Sequence, residues 1–351
     1  MQLSETQMQN KFQQQLNQSI ENKESFLLFR KPNTDKIELW LDEKEGDFQF
    51  IFHRFDDAVQ IEFKTNEIYT LPIQDFNFQI DLDLENSNLD EDISYADYID
   101  LVSKTIDELK SETSSTKKIV ISRIKSFDNE GVNLVETFKK LHQAYPNAYV
   151  YLWYTPENDV WIGASPELLL AEDNLTINTV SLAGTLPKNE EWTSKEIHEQ
   201  QVVTDYIVDK LKIANAIKVD GPYTVDAGFF NHLKSYISAK VESYDEVYPI
   251  LKALHPTPAV CGMPKEEAKQ FILKNEGYDR SYYAGFFGYK SPESSLYFVN
   301  LRCAKIYKNK VKIYVGGGIM PDSNPEKEWQ ETELKSKTIG NLLVTDQIIF
   351  S

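Results

Sequence analysis

The chain has 351 residues, of which 41% are hydrophobic, and this composition is typical of a globular protein with a large buried core. It carries 37 lysines and arginines against 55 aspartates and glutamates, a formal net charge of −18, so we expect neither nucleic acids nor anionic membranes as partners. Its two cysteines, Cys261 and Cys303, stand outside any CxxC pair, which argues against a disulfide framework and a structural zinc site.

The start of the chain lacks the basic patch and apolar run of a signal peptide, and no apolar stretch approaches the length that spans a membrane. We therefore expect a protein of the reduced cytoplasm. The acidic balance also means that an anionic substrate needs a local source of positive charge, either a bound cation or a cluster of basic residues.

The first third of the chain is predicted to be a helix followed by strands and a second helix. The Gln-rich opening predicts an amphipathic helix. From Phe26 to about Ile80, short aromatic and β-branched segments predict strands, namely FLLF, IELWL, FQFIF and FNFQIDL. The segment YADYIDLVSKTIDELK, with apolar residues three and four apart, predicts a helix after an acidic loop.

Strands and helices continue to alternate in the remainder of the chain. KKIVISR and AYVYLWY predict strands on either side of the helix VNLVETFKKLHQAYP. A long helix is predicted over roughly 193–213, three strands over 282–315, and a final helix from Pro325. Because several strands follow one another directly, we predict an α+β fold with large, mainly antiparallel sheets and helices packed outside.

The chain is predicted to form one domain over residues 1–351. The only plausible boundary lies near residue 95, between a strand-rich portion, 1–95, and the remainder, 96–351. Neither portion has a linker of its own, so we expect them to fold together.

The stretch EKEWQETELK, residues 326–335, places four carboxylates in ten residues. On a helix that begins at Pro325, the side chains of Glu328, Glu331 and Lys335 share one face. Three glycines upstream, 316–318, allow close backbone approach and offer N–H groups to an anion. By itself this stretch is typical of a salt-bridged surface helix.

A second pair of glutamates with the same spacing gives the stretch another interpretation. In SKEIHE, residues 194–199, Glu196 and Glu199 share one face of the long middle helix. Mg²⁺ takes one or two protein carboxylates and completes its shell with waters and substrate oxygens. Two helices that each give one carboxylate would form such a site and would neutralise an anionic substrate.

Eight motifs together resemble the chorismate-utilising enzymes, the family of isochorismate, salicylate, anthranilate and aminodeoxychorismate synthases. They cover roughly two thirds of the chain, from about Lys117 to the C-terminus. In chain order they are KIVISR (118–123), GASPELLL (163–170), SLAGT (181–185), SKEIHEQ (194–200), HPTPAVCGMP (255–264), YAGFFGY (283–289), NLRCAKI (300–306) and GGGIMPDSNPEKEWQETELK (316–335). The resemblance implies an α/β structure of two stacked sheets covered by helices, with the active site in a cleft.

The resemblance also implies that carboxylates from two helices hold Mg²⁺, which binds the ring carboxylate of chorismate. The matching positions are Glu199 and Glu331. Glu196 and Glu328 match carboxylates that lie farther from the metal, around its direct ligands. Lys335, one turn further along, is then placed to meet a substrate carboxylate.

Lys118 and Glu167 match the acid–base pair of the family. Lys118 is the candidate base that activates water, provided that its pKa falls well below about 10.4; its alternative is a surface lysine before a strand. Glu167 is the candidate acid for the leaving hydroxyl, because the leucines after it would raise its pKa. Its alternative is a carboxylate at a helix N-terminus, where the dipole would lower the pKa, and the sequence does not decide between them.

Other positions match residues that line the substrate in the family. Arg302 has the fork geometry for a bidentate carboxylate contact, with a structural salt bridge as its alternative. His255 is expected to orient the substrate rather than to act as a base, and Tyr283 has packing as its alternative. The predicted substrate-binding set is Gly184, Thr185, His255, Ala259, Tyr283, Arg302, Gly316 and Lys335.

The resemblance therefore implies an isomerase, an Mg²⁺-dependent isochorismate synthase that acts on chorismate for menaquinone or siderophore biosynthesis. Salicylate synthase, which goes on to eliminate pyruvate, is the alternative. Anthranilate synthase fits less well, because it typically has glutamine where this chain has Lys118. We expect a monomer without an obligate protein partner.

Overall fold

The structure, a computed structural model, describes residues 4–58, 60–88, 91–157, 159–188, 190–226 and 230–345. Within these ranges the chain forms seven α-helices. They are α1 (Glu5–Glu21), α2 (Tyr95–Lys110), α3 (Leu134–Ala144), α4 (Ser194–Lys210), α5 (Val247–Leu254), α6 (Lys265–Asn275) and α7 (Pro325–Gly340). None of these described helices combines the length and the apolar character needed to cross a membrane.

The same ranges hold seventeen β-strands. They are β1 (Phe26–Arg30), β2 (Lys36–Leu41), β3 (Phe48–His53), β4 (Ile61–Thr65), β5 (Tyr69–Pro72), β6 (Lys118–Asp128), β7 (Tyr149–Thr155), β8 (Asp159–Ser165), β9 (Leu168–Asp173), β10 (Thr176–Pro187), β11 (Asn215–Asp226), β12 (Phe230–Lys240), β13 (Gly262–Met263), β14 (Phe286–Lys290), β15 (Ser294–Val299), β16 (Cys303–Ile306) and β17 (Lys310–Ile319).

These strands form two sheets in which every neighbouring pair is antiparallel. A nine-stranded sheet has the order β13-β6-β17-β16-β8-β7-β1-β2-β5, and an eight-stranded sheet has the order β11-β12-β10-β9-β15-β14-β3-β4. The predicted α+β fold with large antiparallel sheets is confirmed.

Strand β1 shows how the two sheets stack. Because successive side chains point to opposite faces of a strand, Leu27 and Phe29 enter the core between the sheets, where the Phe29 ring lies 5.2 Å from that of Phe50 on β3. Phe26 and Leu28 enter a second core that includes side chains of α1 and α3. Because both faces of β1 are covered, its segment FLLF is a continuous run of apolar residues rather than an alternation of apolar and polar residues.

Two details of the strand prediction were wrong. The segment FNFQIDL is not a strand, although Phe76 and Phe78 pack on Phe12 of α1. Its alternating apolar residues fill the outer core, whereas the nine-stranded sheet ends at β5. Four strands rather than three lie between 282 and 319, because Arg302, with a φ of 47°, interrupts the chain between β15 and β16.

The strands before residue 95 complete both sheets. β1 pairs with β7 in the nine-stranded sheet, and β3 pairs with β14 in the other. The predicted active-site positions lie on elements outside this strand-rich portion, on β6, β10, β17, α4, α7 and the loops near them.

Candidate active site

Lys118 is the first residue of β6, paired with Met263 of β13, and its side chain crosses the backbone of β17. A Cβ at Gly318 would lie 2.7 Å from Lys118 Cε, so a larger residue there would displace the lysine side chain. Burial lowers the pKa of Lys118, against the opposing pull of the Glu199 and Glu167 carboxylates. Lys118 is therefore a shielded amine rather than a surface lysine.

Glu167 connects two strands, β8 and β9, and its carbonyl oxygen accepts a hydrogen bond of 2.9 Å from the Val299 amide. No helix starts at this point, so the alternative in which a helix dipole lowers its pKa is wrong. Burial raises the pKa of Glu167 to about 6, although the charges of Lys118 and Arg302 act in the opposite direction.

The electrostatic neighbours of Lys118 link it to the two glutamate-bearing helices. Its pKa responds to Glu199 on α4 and to Glu331 and Lys335 on α7, as well as to Glu167. The structure therefore brings the predicted base, the predicted acid and one predicted metal ligand from each helix into a single electrostatic cluster.

Helix α7 begins as the sequence predicts. Asn324 caps it by accepting a hydrogen bond from the Lys327 amide, and Pro325 follows at the first position. Lys335 Nζ lies 2.6 Å from a Glu331 oxygen and donates to the Gly316 carbonyl oxygen at 2.9 Å. The Glu331–Lys335 face thus lies against the glycines of β17.

Glu328 lies on the same side of the helix, more enclosed than Glu331. One of its oxygens is 3.1 Å from where a Cβ at Gly317 would stand, and burial raises its pKa. The three glycines, predicted to approach a ligand, are part of strand β17, and they make room for the side chains of Lys118 and Glu328.

Helix α4 carries Glu199, whose side chain is exposed, and Glu196, which accepts a hydrogen bond of 3.1 Å from the Thr193 amide at the helix start. Gly184, with a φ of 71°, packs against this turn at a bulge in β10; a Cβ there would lie 3.1 Å from the Glu196 carbonyl oxygen. The side chain of Thr185 lies outside the described part of the structure.

Arg302 and Tyr283 each pack against a tyrosine ring near this cluster. The Arg302 guanidinium stands 4.7 Å above the ring of Tyr145 and is close enough to Glu167 to act on its pKa. The buried Tyr283 stacks on Tyr314 at 5.6 Å, with its hydroxyl 3.1 Å from the position of a Cβ at Gly316.

A cavity of about 830 Å³ opens beside the cluster, and Glu167 and Ala259 are the predicted residues with described side chains that line it. His255 does not line it: its ring packs edge-to-face on His53 at 5.3 Å and on Phe286 at 5.0 Å. Burial lowers the pKa of His255 to about 3, with the neighbouring His53 acting in the same direction. Its link to the cavity is the loop after it, where Ala259 lies.

The two helix carboxylates fit a magnesium ion. In the described part of the chain, the only group of three His, Cys, Asp or Glu residues whose ligand atoms lie within 4.8 Å of one another involves other residues, so α4 and α7 form no closed cage. Mg²⁺ needs only one or two protein carboxylates, and Glu199 and Glu331 are exposed oxygen donors, one on each helix.

One supporting pair was missed at the sequence level. Buried Arg280 pairs with Glu276 and donates to the carbonyl oxygens of Val120 on β6 at 2.7 Å and of Val260 at 3.0 Å. The pair therefore ties the strand of Lys118 to the loop that contains Ala259. In the sequence, the spacing of four residues between the glutamate and the arginine of EGYDR indicated a possible ion pair. It did not indicate that the pair is buried.

Comparisons with known proteins identify the family of the chain. Residues 59–344 match the family model described as chorismate binding enzyme. The chain is 31% identical over 261 residues to the chloroplastic isochorismate synthase of Catharanthus roseus, covering 69% of this chain and 44% of that protein. It is 32% identical over 260 residues to the isochorismate synthase MenF of Escherichia coli K12, covering 70% of this chain and 59% of MenF.

The fold is shared with a solved isochorismate synthase. The structure of MenF, the menaquinone-specific enzyme of Escherichia coli, superposes with a TM-score of 0.75 at 22% identity, covering 91% of this chain and 89% of that one. The matched segments span only about half the length of the first relatives. Because the family model covers most of its sequence, the chain belongs to the chorismate-binding enzymes.

Proposed function

We propose that this chain is an Mg²⁺-dependent isochorismate synthase that converts chorismate to isochorismate. The observation that carries the proposal is the pair of opposite pKa shifts in one cluster, lowered for Lys118 and raised to about 6 for Glu167. These shifts favour a neutral amine that can act as a base and a protonated carboxyl group that can act as an acid. The similarity to isochorismate synthases of a plant and of a bacterium supports the same reaction.

In the proposed reaction, neutral Lys118 takes a proton from a water molecule as the water oxygen bonds to ring carbon 2 of chorismate. The ring double bonds shift, and the bond between carbon 4 and its hydroxyl breaks. Protonated Glu167 donates its proton to the departing hydroxyl, which leaves as water. One water enters and one leaves, so the reaction is an isomerisation.

The remaining residues hold and orient the substrate. Glu199 and Glu331 would hold Mg²⁺, which supplies positive charge to the ring carboxylate on a protein of net charge −18. Arg302, near Glu167, and Lys335, beside Glu331, provide the cationic contacts for carboxylates.

A product assay tests the proposal directly. The purified chain incubated with chorismate and Mg²⁺ should form isochorismate, detected by chromatography, and a chelator should abolish the reaction. Lys118→Ala and Glu167→Gln should still bind ligand but lose turnover. No product with Mg²⁺ present, or full activity in either variant, contradicts the proposal. Salicylate with pyruvate would instead identify a salicylate synthase, and anthranilate formed with ammonia an anthranilate synthase.

We infer that the isochorismate is used for menaquinone or siderophore biosynthesis, since relatives include a menaquinone-specific and a vibriobactin-specific enzyme. We also propose a cytoplasmic location, and we infer a monomer because every group in the proposed reaction comes from one chain. Light scattering after size-exclusion chromatography, combined with an activity assay of the eluted fractions, tests whether the active species is a monomer.

A further inference from the structure

A second group of ligand-type side chains joins the end of β3 to the residue after α5. His53, Asp57 and His255 each place one ligand atom within 4.8 Å of the others. We propose that these three residues bind a divalent transition-metal ion of the Zn²⁺ class. This inference does not depend on the proposed reaction, in which other residues act as base, acid and magnesium ligands.

The ring of His53 is held in the orientation that a metal ligand needs. Its Nδ1–H donates to the Arg54 carbonyl oxygen at 2.9 Å, which leaves the lone pair of Nε2 facing the group. Nε2 lies 3.7 Å from Asp57 Oδ1. A backbone carbonyl that fixes the second nitrogen is the usual support of a metal-bound histidine.

His255 supplies an independent sign of a missing ligand. Its side chain is 3% exposed, and its Nε2 has no hydrogen-bond partner among the described residues. A buried polar nitrogen without a partner costs about 1–3 kcal/mol, which a bound ligand would offset.

The group already attracts a cation from the protein itself. Lys252 Nζ lies 2.8 Å from His53 Nε2 and contacts Asp57 Oδ1, while Lys269 Nζ contacts the other oxygen of Asp57. The Lys252 side chain is 34% exposed and can withdraw to solvent, whereas that of Lys269 is 14% exposed. A metal would therefore replace the Lys252 ammonium, and Lys269 would stay and orient the carboxylate.

The donor set selects the class of metal. Two imidazoles and one carboxylate suit Zn²⁺ and related ions, whereas Mg²⁺ prefers oxygen ligands alone. Because His255 leads into the loop whose residues Thr257 and Ala259 line the large cavity, an occupied site would also fix that loop.

Titration calorimetry with Zn²⁺ on the full chain tests the site, with excess Mg²⁺ present to occupy carboxylate sites. One tight site is expected, and His53→Ala or His255→Ala should weaken it by about 100-fold or more, since even supporting residues of metal sites cost up to about that much. Co²⁺ should give visible absorption bands that the same substitutions remove. The matched control is His142→Ala, because His142 also lies near a carboxylate, 3.6 Å from Asp35, but outside the group.

Lys252→Met provides a test that removes no ligand from the group. Without the competing ammonium, the affinity for Zn²⁺ should rise by about tenfold or more. The proposal is overturned if the unmodified chain binds Zn²⁺ no more tightly than folded His53→Ala, if His142→Ala weakens binding equally, or if Lys252→Met leaves the affinity unchanged.

Discussion

Burial acts on Lys118 and Glu167 in the same sense, because it disfavours the charged form of each. It lowers the pKa of the lysine and raises that of the glutamate to about 6, although their mutual attraction favours both charges. The reaction needs neutral Lys118 and protonated Glu167 together. This neutral form of the pair carries one exchangeable proton, and so does the form in which Lys118 and Glu167 are both charged. The ratio of the two forms therefore does not change with pH between the two apparent pKa values of the pair.

This proton count predicts a bell-shaped dependence of kcat/KM on pH. Activity should rise as pH increases through about 6, where the doubly protonated pair loses its first proton, and should fall at alkaline pH when the second is lost. In Glu167→Gln the rise near pH 6 should disappear, with kcat lower by about 10²–10⁴-fold. A variant that keeps the rise would show that another group titrates there.

Two neighbouring glycines of β17 should affect different parts of the site. A Cβ at Gly318 would meet Lys118 Cε at 2.7 Å, whereas a Cβ at Gly317 would meet a Glu328 oxygen at 3.1 Å. Gly318→Ala should lower kcat by about 10-fold to 100-fold, because the amine is displaced by about 1 Å. Gly317→Ala should instead raise the Mg²⁺ concentration needed for half-maximal activity.

Each of these two variants is the matched control of the other, because successive residues of a strand face opposite sides. Steady-state rates measured across Mg²⁺ concentrations separate the effects. The same response in both variants would contradict the separate contacts of Gly318 with Lys118 and of Gly317 with Glu328.

At the scale of elements, β6 both supplies Lys118 and anchors the helix that supplies Glu331. The nearly buried Arg123 on β6 donates to Thr332 Oγ1 at 2.9 Å, pairs with Glu333 and lies 3.9 Å from the ring of Trp329. Three contacts from one guanidinium fix α7 against the sheet. The contact between β6 and α7, which lies outside the site, therefore sets the distance between the proposed base and the proposed metal ligand.

Weakening the contact between β6 and α7 should lower the stability of the fold and raise the Mg²⁺ concentration needed for activity. Arg123→Met is expected to lower the free energy of unfolding by about 2 kcal/mol, because charged hydrogen bonds and a stacked ring are lost. Lys125→Met removes an exposed lysine that contacts the same Glu333, at 2.6 Å, and should cost less than about 1 kcal/mol. Urea unfolding and Mg²⁺ titration of activity measure the two effects; equal losses in both variants would contradict the role given to Arg123.

The helices were more predictable from the sequence than the strands, because a helix depends on nearby residues. The helix YADYIDLVSKTIDELK was predicted with its observed bounds, Tyr95–Lys110, since the apolar spacing that indicates it lies within the segment. FNFQIDL has the alternation of a strand but finds no partner strand, and pairing is a long-range property. The contact between His255 and His53 was unpredictable for the same reason.

For the whole molecule, the strand order shows that the two portions of the chain are interleaved. β1 lies between β2 and β7, and β3 lies between β4 and β14, so each sheet contains strands from both sides of residue 95. The Phe29–Phe50 contact between the sheets also belongs entirely to the first portion. Removing that portion would leave the inner strands β7 and β14 as new edges beside an opened core.

We therefore predict that residues 96–351 do not fold alone. Expressed by itself, this fragment should aggregate or lack a cooperative unfolding transition, because exposed edges and aromatic side chains associate. Co-expression with 1–95 should restore a soluble complex with the activity of the full chain. The control is the full chain cut after folding at a protease site inserted in the loop before α2, which should stay associated. A soluble, cooperatively unfolding 96–351 fragment would show instead that the chain has two domains.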